Sequence, residues 1–179
     1  EVDIPEEVRE KIALFCNVRK ESVIANKTAS CLYEVPLMME KEGLANEVCK
    51  HLQLEKNEPN NKEWEELNNR VKNVSDKKVT IGIVGKYIKL EDSYLSVIES
   101  LNHAGIEKGV KVKAKLIDAE KINKENVKEI LKDCDGIVVP GGFGNRGIEG
   151  KIQTIKYVRE KKIPFLGICL GMQMAVVEF

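Results

Sequence analysis

The sequence predicts an α/β chain whose second part begins a doubly wound, mostly parallel sheet. Three observations predict it. Apolar runs with no polar face recur at residues 79–84 (VTIGIV), 136–140 (GIVVP) and 163–169 (IPFLGIC), as strands covered on both sides require. Helical periodicity separates them: Tyr94, Val97, Ile98 and Leu101, then Val127, Ile130 and Leu131, then Ile148, Ile152, Ile155 and Val158. Glycine-rich turns follow two of the runs, at the strand ends where the active-site loops of such sheets gather.

From the N-terminus, residues 11–18 (KIALFCNV) and 22–26 (SVIAN) have strand length and β-branched content, so two short strands are expected there. Pro36 suits the first turn of a helix and Gly43 its end. Leu44, Val48 and Leu52, at i, i+4 and i+8, form one face of the next helix. Residues 56–78 are dense in Asn, Glu and Lys and carry Pro59. Trp64, Leu67 and Val71 there make the narrow stripe of one solvated helix, and the segment reads as a linker between two domains. Further on, residues 110–117 set Val112, Ala114 and Leu116 against lysines, the alternation of a half-exposed strand. Asn123 is placed to cap the helix that buries Val127, Ile130 and Leu131.

Composition excludes several classes. The 179 residues carry 29 Lys+Arg against 29 Asp+Glu, which gives no electrostatic reason to bind nucleic acid or an anionic membrane. With 42% hydrophobic and 32% charged residues the composition is globular rather than disordered. The most apolar stretch, 165–177, falls short of the roughly 20 residues of a membrane span. Cys16, Cys31, Cys49, Cys134 and Cys169 are odd in number and contain no CxxC pair. A disulfide framework or structural zinc is therefore not expected, and a reducing, cytoplasmic setting is. The sequence begins without Met and stops at Phe179 within an apolar segment, so a fragment is expected.

Two turns carry chemistry. Gly167-Ile168-Cys169-Leu170-Gly171 is the cysteine form of the G-x-S-x-G nucleophile elbow, between an apolar strand and a helix. Flanking glycines permit the sharp turn, and a thiol at a helix N-terminus is favoured as thiolate. The Leu170 N–H is then placed to bind an oxyanion. The competing reading is a buried core cysteine in a tight turn. Pro140-Gly141-Gly142-Phe143-Gly144-Asn145-Arg146-Gly147 contains a formal G-x-G-x-x-G, but no carboxylate stands roughly 20 residues on to hold a ribose. The alternative is that Gly141 and Gly142 present N–H groups beside the elbow. Gly82-Ile83-Val84-Gly85-Lys86 fails as a phosphate loop, with two residues between its glycines and Tyr87 where Ser or Thr belongs.

KIALFCNV, GIVGKYIKLEDSYLSVIESL, PGGFGNRGIEGK and IPFLGICLGMQ together resemble the CTP synthase family, across nearly the whole chain except residues 56–78. The resemblance implies residues 1–55 as the C-terminal part of a P-loop-type synthetase α/β domain, 56–78 as linker, and 79–179 as the N-terminal half of a class I glutamine amidotransferase domain. It implies amination of UTP to CTP with ATP and Mg2+, using ammonia released from glutamine, with the metal ligands outside this chain. By resemblance Cys169 is the nucleophile, Gly142 and Leu170 supply oxyanion N–H groups, and Leu170, Gly171, Met172 and Gln173 line the glutamine pocket. Lys11 matches a lysine contacting UTP or CTP, and Lys27, Thr28 and Ala29 stand where the ATP base lies. Thr28 and Ala29 depart from the family's usual residues, so main-chain contacts alone carry over there. CTP as feedback ligand, GTP as activator and a homo-oligomer, tetrameric in the family, are implied as well.

Such a thiol needs a histidine base oriented by a carboxylate. His51 and His103 lack the family's H-x-E context, so the chain alone is expected to be inactive in CTP synthesis and in glutamine hydrolysis. Two other readings stay open: a different triad-type glutamine amidotransferase, and a flavodoxin-like or DJ-1-like protein that uses Cys169 as a redox sensor.

Overall fold

The computed structural model describes residues 3–55 and 57–179. The chain divides into two compact units, 1–73 and 74–179.

In the first unit the expected strand at 11–18 is replaced by helix α1 (Glu6–Cys16). The physical reason is hydrogen-bond supply. Among the described residues no strand lies in this unit, so an extended segment would leave its N–H and C=O groups unpaired, whereas a helix closes its own. The helix stops at Asn17, left-handed at φ 51°, and its apolar residues are poorly covered: Ala13 is buried, but Leu14 and Phe15 are 78% and 87% exposed. The strand expected at 22–26 is also absent. A 3-10 turn over Lys20–Ser22 leads into extended chain in which Val23 and Ala25 are buried. Side chains serve this backbone in place of a ladder: Arg9 donates to the Val23 carbonyl at 2.5 Å, and the Ala25 N–H donates to Glu42 at 3.4 Å.

Helix α2 (Val35–Lys41) begins with Pro36 in its first turn. Gly43, at φ 86°, ends that segment and opens α3 (Leu44–Leu52). Helix α4 (Lys62–Lys72) packs within this first unit through a residue its stripe did not name. Asn68 is buried, donating to the Tyr33 carbonyl at 2.8 Å and to the Trp64 carbonyl at 2.9 Å.

The second unit is the predicted doubly wound sheet. Strands β1 (Lys78–Gly85), β2 (Lys111–Asp118), β3 (Gly136–Val139) and β4 (Phe165–Gly167) are all parallel, in the order β2-β1-β3-β4. Helix α5 (Leu95–Lys108) joins β1 to β2, α6 (Val127–Leu131) precedes β3, and α7 (Ile148–Lys161) joins β3 to β4. Helix α8 (Leu170–Glu178) follows β4. Right-handed crossovers in this order place α5 on one face and α6 and α7 on the other. Sheet and helices share one core: Val84, Leu131 and Val139 are fully buried, and Ile137, Ile155, Val158 and Met174 are buried with them at no more than 9% exposure.

Two local expectations shift. On β2, Val112 and Ala114 are partly covered but Leu116 is exposed, while Ile117 on the opposite face enters the core. Both faces of this strand are used, so the alternation fails at its end. Asn123 caps the turn before α6: its side chain accepts from the N–H groups of Glu125 at 2.9 Å and Asn126 at 3.0 Å, and the helix opens at Val127. No helix among the described residues is long and apolar enough to cross a membrane.

Candidate active site

The strand order reverses between β1 and β3, and a ligand crevice of such a sheet lies outside the carboxyl ends of its strands at that point. Three loops meet there: Lys86–Tyr87 after β1, Pro140–Gly144 after β3, and Cys169 after β4. Together they line an open cleft of about 460 Å³ that includes Tyr87, Tyr94, Gly141, Gly142, Phe143 and Cys169.

Cys169 is exposed and stands immediately before α8 at φ 52°, ψ −108°, a conformation a residue with a side chain adopts at a cost of about 1–3 kcal/mol. Its flanking glycines explain how this is held. A Cβ on Gly167 would lie 2.7 Å from the Gly171 carbonyl carbon and the Met172 nitrogen, and a Cβ on Gly171 would be driven into the Val139 carbonyl oxygen. The start of α8 therefore sits directly on β3 and β4, and backbone bonds lock it: Ile168 N–H to Val139 at 3.0 Å, Gly171 N–H to Ile168 at 2.9 Å and Gln173 N–H to Cys169 at 3.0 Å. This is the corner that the G-x-C-x-G spacing predicts. Gly141 lies against it, with the position of its missing Cβ 3.4 Å from the Cys169 Cβ and 3.9 Å from Sγ.

The loop after β3 is held by buried lysines. Lys86, 4% exposed, donates to the Phe143 carbonyl and, at 3.3 Å, to the Gly144 carbonyl. Its Cε would lie 2.9 Å from a Cβ on Gly142, so the loop crosses the lysine stem closely. Lys151 of α7 is fully buried and donates to the Pro140 carbonyl at 3.2 Å. Burial, then the charge of Lys86, pushes the Lys151 ammonium below its ordinary pKa, and Cys169 acts in the opposite sense. Arg146 donates to the Lys86 carbonyl at 3.2 Å and pairs with Glu120 at 2.8 Å.

The turn after β1 is closed to phosphate for a visible reason. The buried Tyr94 hydroxyl accepts from the N–H groups of Lys86 at 3.1 Å and Tyr87 at 3.2 Å, and Gly85 lacks a side chain because the Tyr94 ring occupies that space.

The remaining candidates are placed as follows. Leu170, Gly171, Met172 and Gln173 begin α8. Gly171 is buried, Gln173 is exposed, and Met172 lines an apolar groove between α7 and α8 instead of the Cys169 cleft. In the first unit Lys11 is exposed on α1. Lys27 pairs with Asp3, Thr28 is exposed and Ala29 half-buried. His51 lies on α3 with Nε2 3.4 Å from the Ser22 hydroxyl, and His103 lies exposed on α5. Among the described residues no three His, Cys, Asp or Glu side chains cluster as metal ligands. The sequence reading did not identify Lys86, Tyr94 or Lys151 as members of the site. For Lys151 a signal was present: it falls at i+3 from Ile148 and four residues before Ile155, on the apolar stripe of its helix.

Comparisons with known proteins agree with this geometry. Residues 1–54 match the family model described as CTP synthase N-terminus. A CTP synthase of Clostridium acetobutylicum is 55% identical over 179 residues, which is 100% of this chain and 33% of the relative. One of Ruminiclostridium cellulolyticum is 57% identical over 176 residues, 98% of this chain and 33% of the relative. The chain thus spans about a third of the length of these curated relatives. A solved structure of the Trypanosoma brucei CTPS glutaminase domain with bound acivicin aligns with TM-score 0.52 and 40% identity, covering 56% of this chain and 39% of that one. Residues 89–179, half of the chain, match the family model for glutamine amidotransferase class-I, and the chain belongs to that family.

Proposed function

We propose that this chain is part of a glutamine-hydrolysing CTP synthase, a ligase of pyrimidine biosynthesis that works in the cytoplasm. UTP, ATP and glutamine are converted to CTP, ADP, phosphate and glutamate. In this reading residues 1–55 end the synthetase domain, 56–78 link, and 79–179 begin the glutaminase domain. The reading rests on relatives more than 50% identical along the whole chain, and on one observation above the rest: Cys169 held at positive φ on a backbone-locked corner facing the Pro140–Phe143 loop.

Cys169 is the nucleophile. Its thiolate attacks the carboxamide carbon of glutamine and the carbonyl oxygen becomes an oxyanion. The C–N bond then breaks, and ammonia leaves with a proton from a general acid to which no residue of this chain is assigned, giving a glutamyl thioester that water hydrolyses. The N–H of Leu170, in the first turn of α8 where no intrahelical acceptor exists, and the N–H of Gly142 are the oxyanion donors. In this reading the glutamine site continues through the backbone of Gly171 and Met172 and the exposed Gln173 at the start of α8, the Met172 side chain facing the α7–α8 groove instead. His103 does not line the cleft and neither histidine has the H-x-E context, so neither is assigned the role of base.

In the synthetase part Lys11 contacts the pyrimidine nucleotide, UTP or the feedback ligand CTP, and the main chain of Lys27–Ala29 contacts the ATP base. GTP acts as activator and the whole protein is a homo-oligomer, a tetramer. Mg2+ accompanies ATP, but the carboxylates described here form no cluster to hold it, and no step is assigned to the metal in this chain.

The experiment is affinity labelling with a glutamine-like chloroketone, mapped by mass spectrometry. The reading expects one adduct, on Cys169, suppressed by excess glutamine and absent in Cys169→Ala. Labelling spread over several cysteines, or indifferent to glutamine, would overturn it. Persistent labelling at the rate expected of a simple exposed thiol, with no saturation, favours the redox-sensor reading instead.

A further inference from the structure

We propose that Lys151 is a positioning residue for the Cys169 site: its buried side chain anchors the Pro140 carbonyl, fixes the peptide that carries Gly141 against Cys169, and brings a positive charge to the loop beside the thiol.

A lysine with no exposed surface on the apolar stripe of a helix needs a compensating contact, because an unpaired ammonium in a packed interior is strongly disfavoured. Here the compensation is the Pro140 carbonyl at 3.2 Å. That carbonyl and the Gly141 N–H belong to one planar trans peptide and point in opposite directions, so holding one sets the other. Gly141 is the residue packed on Cys169. Lys86 grips the same loop three and four residues further on, at the Phe143 and Gly144 carbonyls. The loop is thus held at both ends by its oxygens, which leaves its N–H groups as the polar groups for the cleft. The ammonium bonds the carbonyl of the very peptide whose next residue packs on Cys169, which brings its charge to the neighbourhood of the thiol.

A leucine or methionine would fill the same space in α7 without placing a charged group in the core. Its presence is explained by the loop it holds. This proposal rests on reading Cys169 as the nucleophile, and its test uses reagents that do not depend on glutamine recognition.

The test compares alkylation of Cys169 by iodoacetate and iodoacetamide in the 179-residue chain, with each adduct quantified by mass spectrometry. The anionic reagent senses positive charge at the thiol, whereas a purely structural disturbance changes both rates alike. In the wild type the iodoacetate-to-iodoacetamide rate ratio at Cys169 should exceed that at exposed Cys16. Lys151→Gln, neutral but still able to donate to the carbonyl, should lower the Cys169 ratio at least threefold. Lys151→Met should lower it equally and also slow chloroketone labelling, because the carbonyl anchor is gone. Lys151→Arg should retain the ratio within twofold. An unchanged ratio in a folded Gln or Met variant overturns the proposal. Should both neutral variants lose their circular dichroism, the wild-type ratio against pH decides: helix N–H dipoles do not titrate, so a ratio at Cys169 that falls at alkaline pH while that at Cys16 stays level supports the proposal, and a level ratio at Cys169 overturns it. Failure here with glutamine-protected chloroketone labelling intact removes Lys151 and leaves the proposed function standing.

Discussion

The two units use similar apolar runs in opposite ways. Residues 79–85 and 136–139 form central strands with parallel neighbours, the first buried from Gly82 onward and the second throughout. Residues 11–16, comparably apolar, form a helix whose Leu14 and Phe15 face outward. The difference is partnership. A strand satisfies its backbone only through another strand, and β1 has one on each side, whereas the first unit offers none among its described residues. An apolar run of that length therefore encodes burial more firmly than it encodes backbone conformation.

The comparison can be broken or sharpened with two built-in reporters: Trp64, the sole tryptophan, in the first unit, and the buried Cys134 thiol in the second. Leu131→Ala empties a fully buried position and should cost the second unit about 2–5 kcal/mol. Urea unfolding followed by Cys134 reactivity should shift, with Trp64 fluorescence unmoved. Gly171→Ala, which forces a methyl group into the Val139 carbonyl, should cost about 1–3 kcal/mol by the same readout and disturb the Cys169 corner. Phe15→Ala should change the Trp64 transition by no more than about 0.5 kcal/mol, since the ring is already in solvent. A large loss there would mean that the α1 face is covered and the contrast between units is false.

The smallest effect concerns acid. Hydrogen bonds from the Ser30 hydroxyl first, then Lys72 and the Ser30 N–H, hold the Glu34 carboxyl down to about 2 from an ordinary 4.5. A depressed carboxyl contributes stability that is full above its unfolded value and is lost as pH falls from about 4.5 towards 2. Glu34→Gln should flatten that part of the first unit's pH dependence, seen as a Trp64 midpoint that moves less between pH 5 and about 2.5 than in the wild type.

Much of the second unit was legible because several local signals agreed. Apolar runs, intervening 3.6-residue periodicities and glycine turns all demanded a covered parallel sheet, and the G-x-C-x-G spacing pointed to the corner at Cys169 through its place between an apolar strand and a helix. What escaped was tertiary. Lys151 sits on an apolar stripe that marks it for burial, yet its acceptor lies on another element, and sequence spacing does not pair them. Tyr94 reads as an ordinary stripe residue, although its hydroxyl serves the backbone of the turn after β1. In the first unit the strands at 11–18 and 22–26 were misjudged because the partners a strand needs are not a property of the segment itself.

The most direct test of the central claim, that the corner makes Cys169 a glutamine-directed nucleophile, is a competition among the chain's own thiols. All five cysteines are exposed together to a glutamine-like chloroketone and, separately, to iodoacetamide, and each rate is read by mass spectrometry. Cys134, buried and with its thiol pushed up by that burial, should be slowest with both reagents. The account predicts a chloroketone-to-iodoacetamide rate ratio at Cys169 at least tenfold above that at Cys16, Cys31 and Cys49. The same ratio at all of them would contradict it.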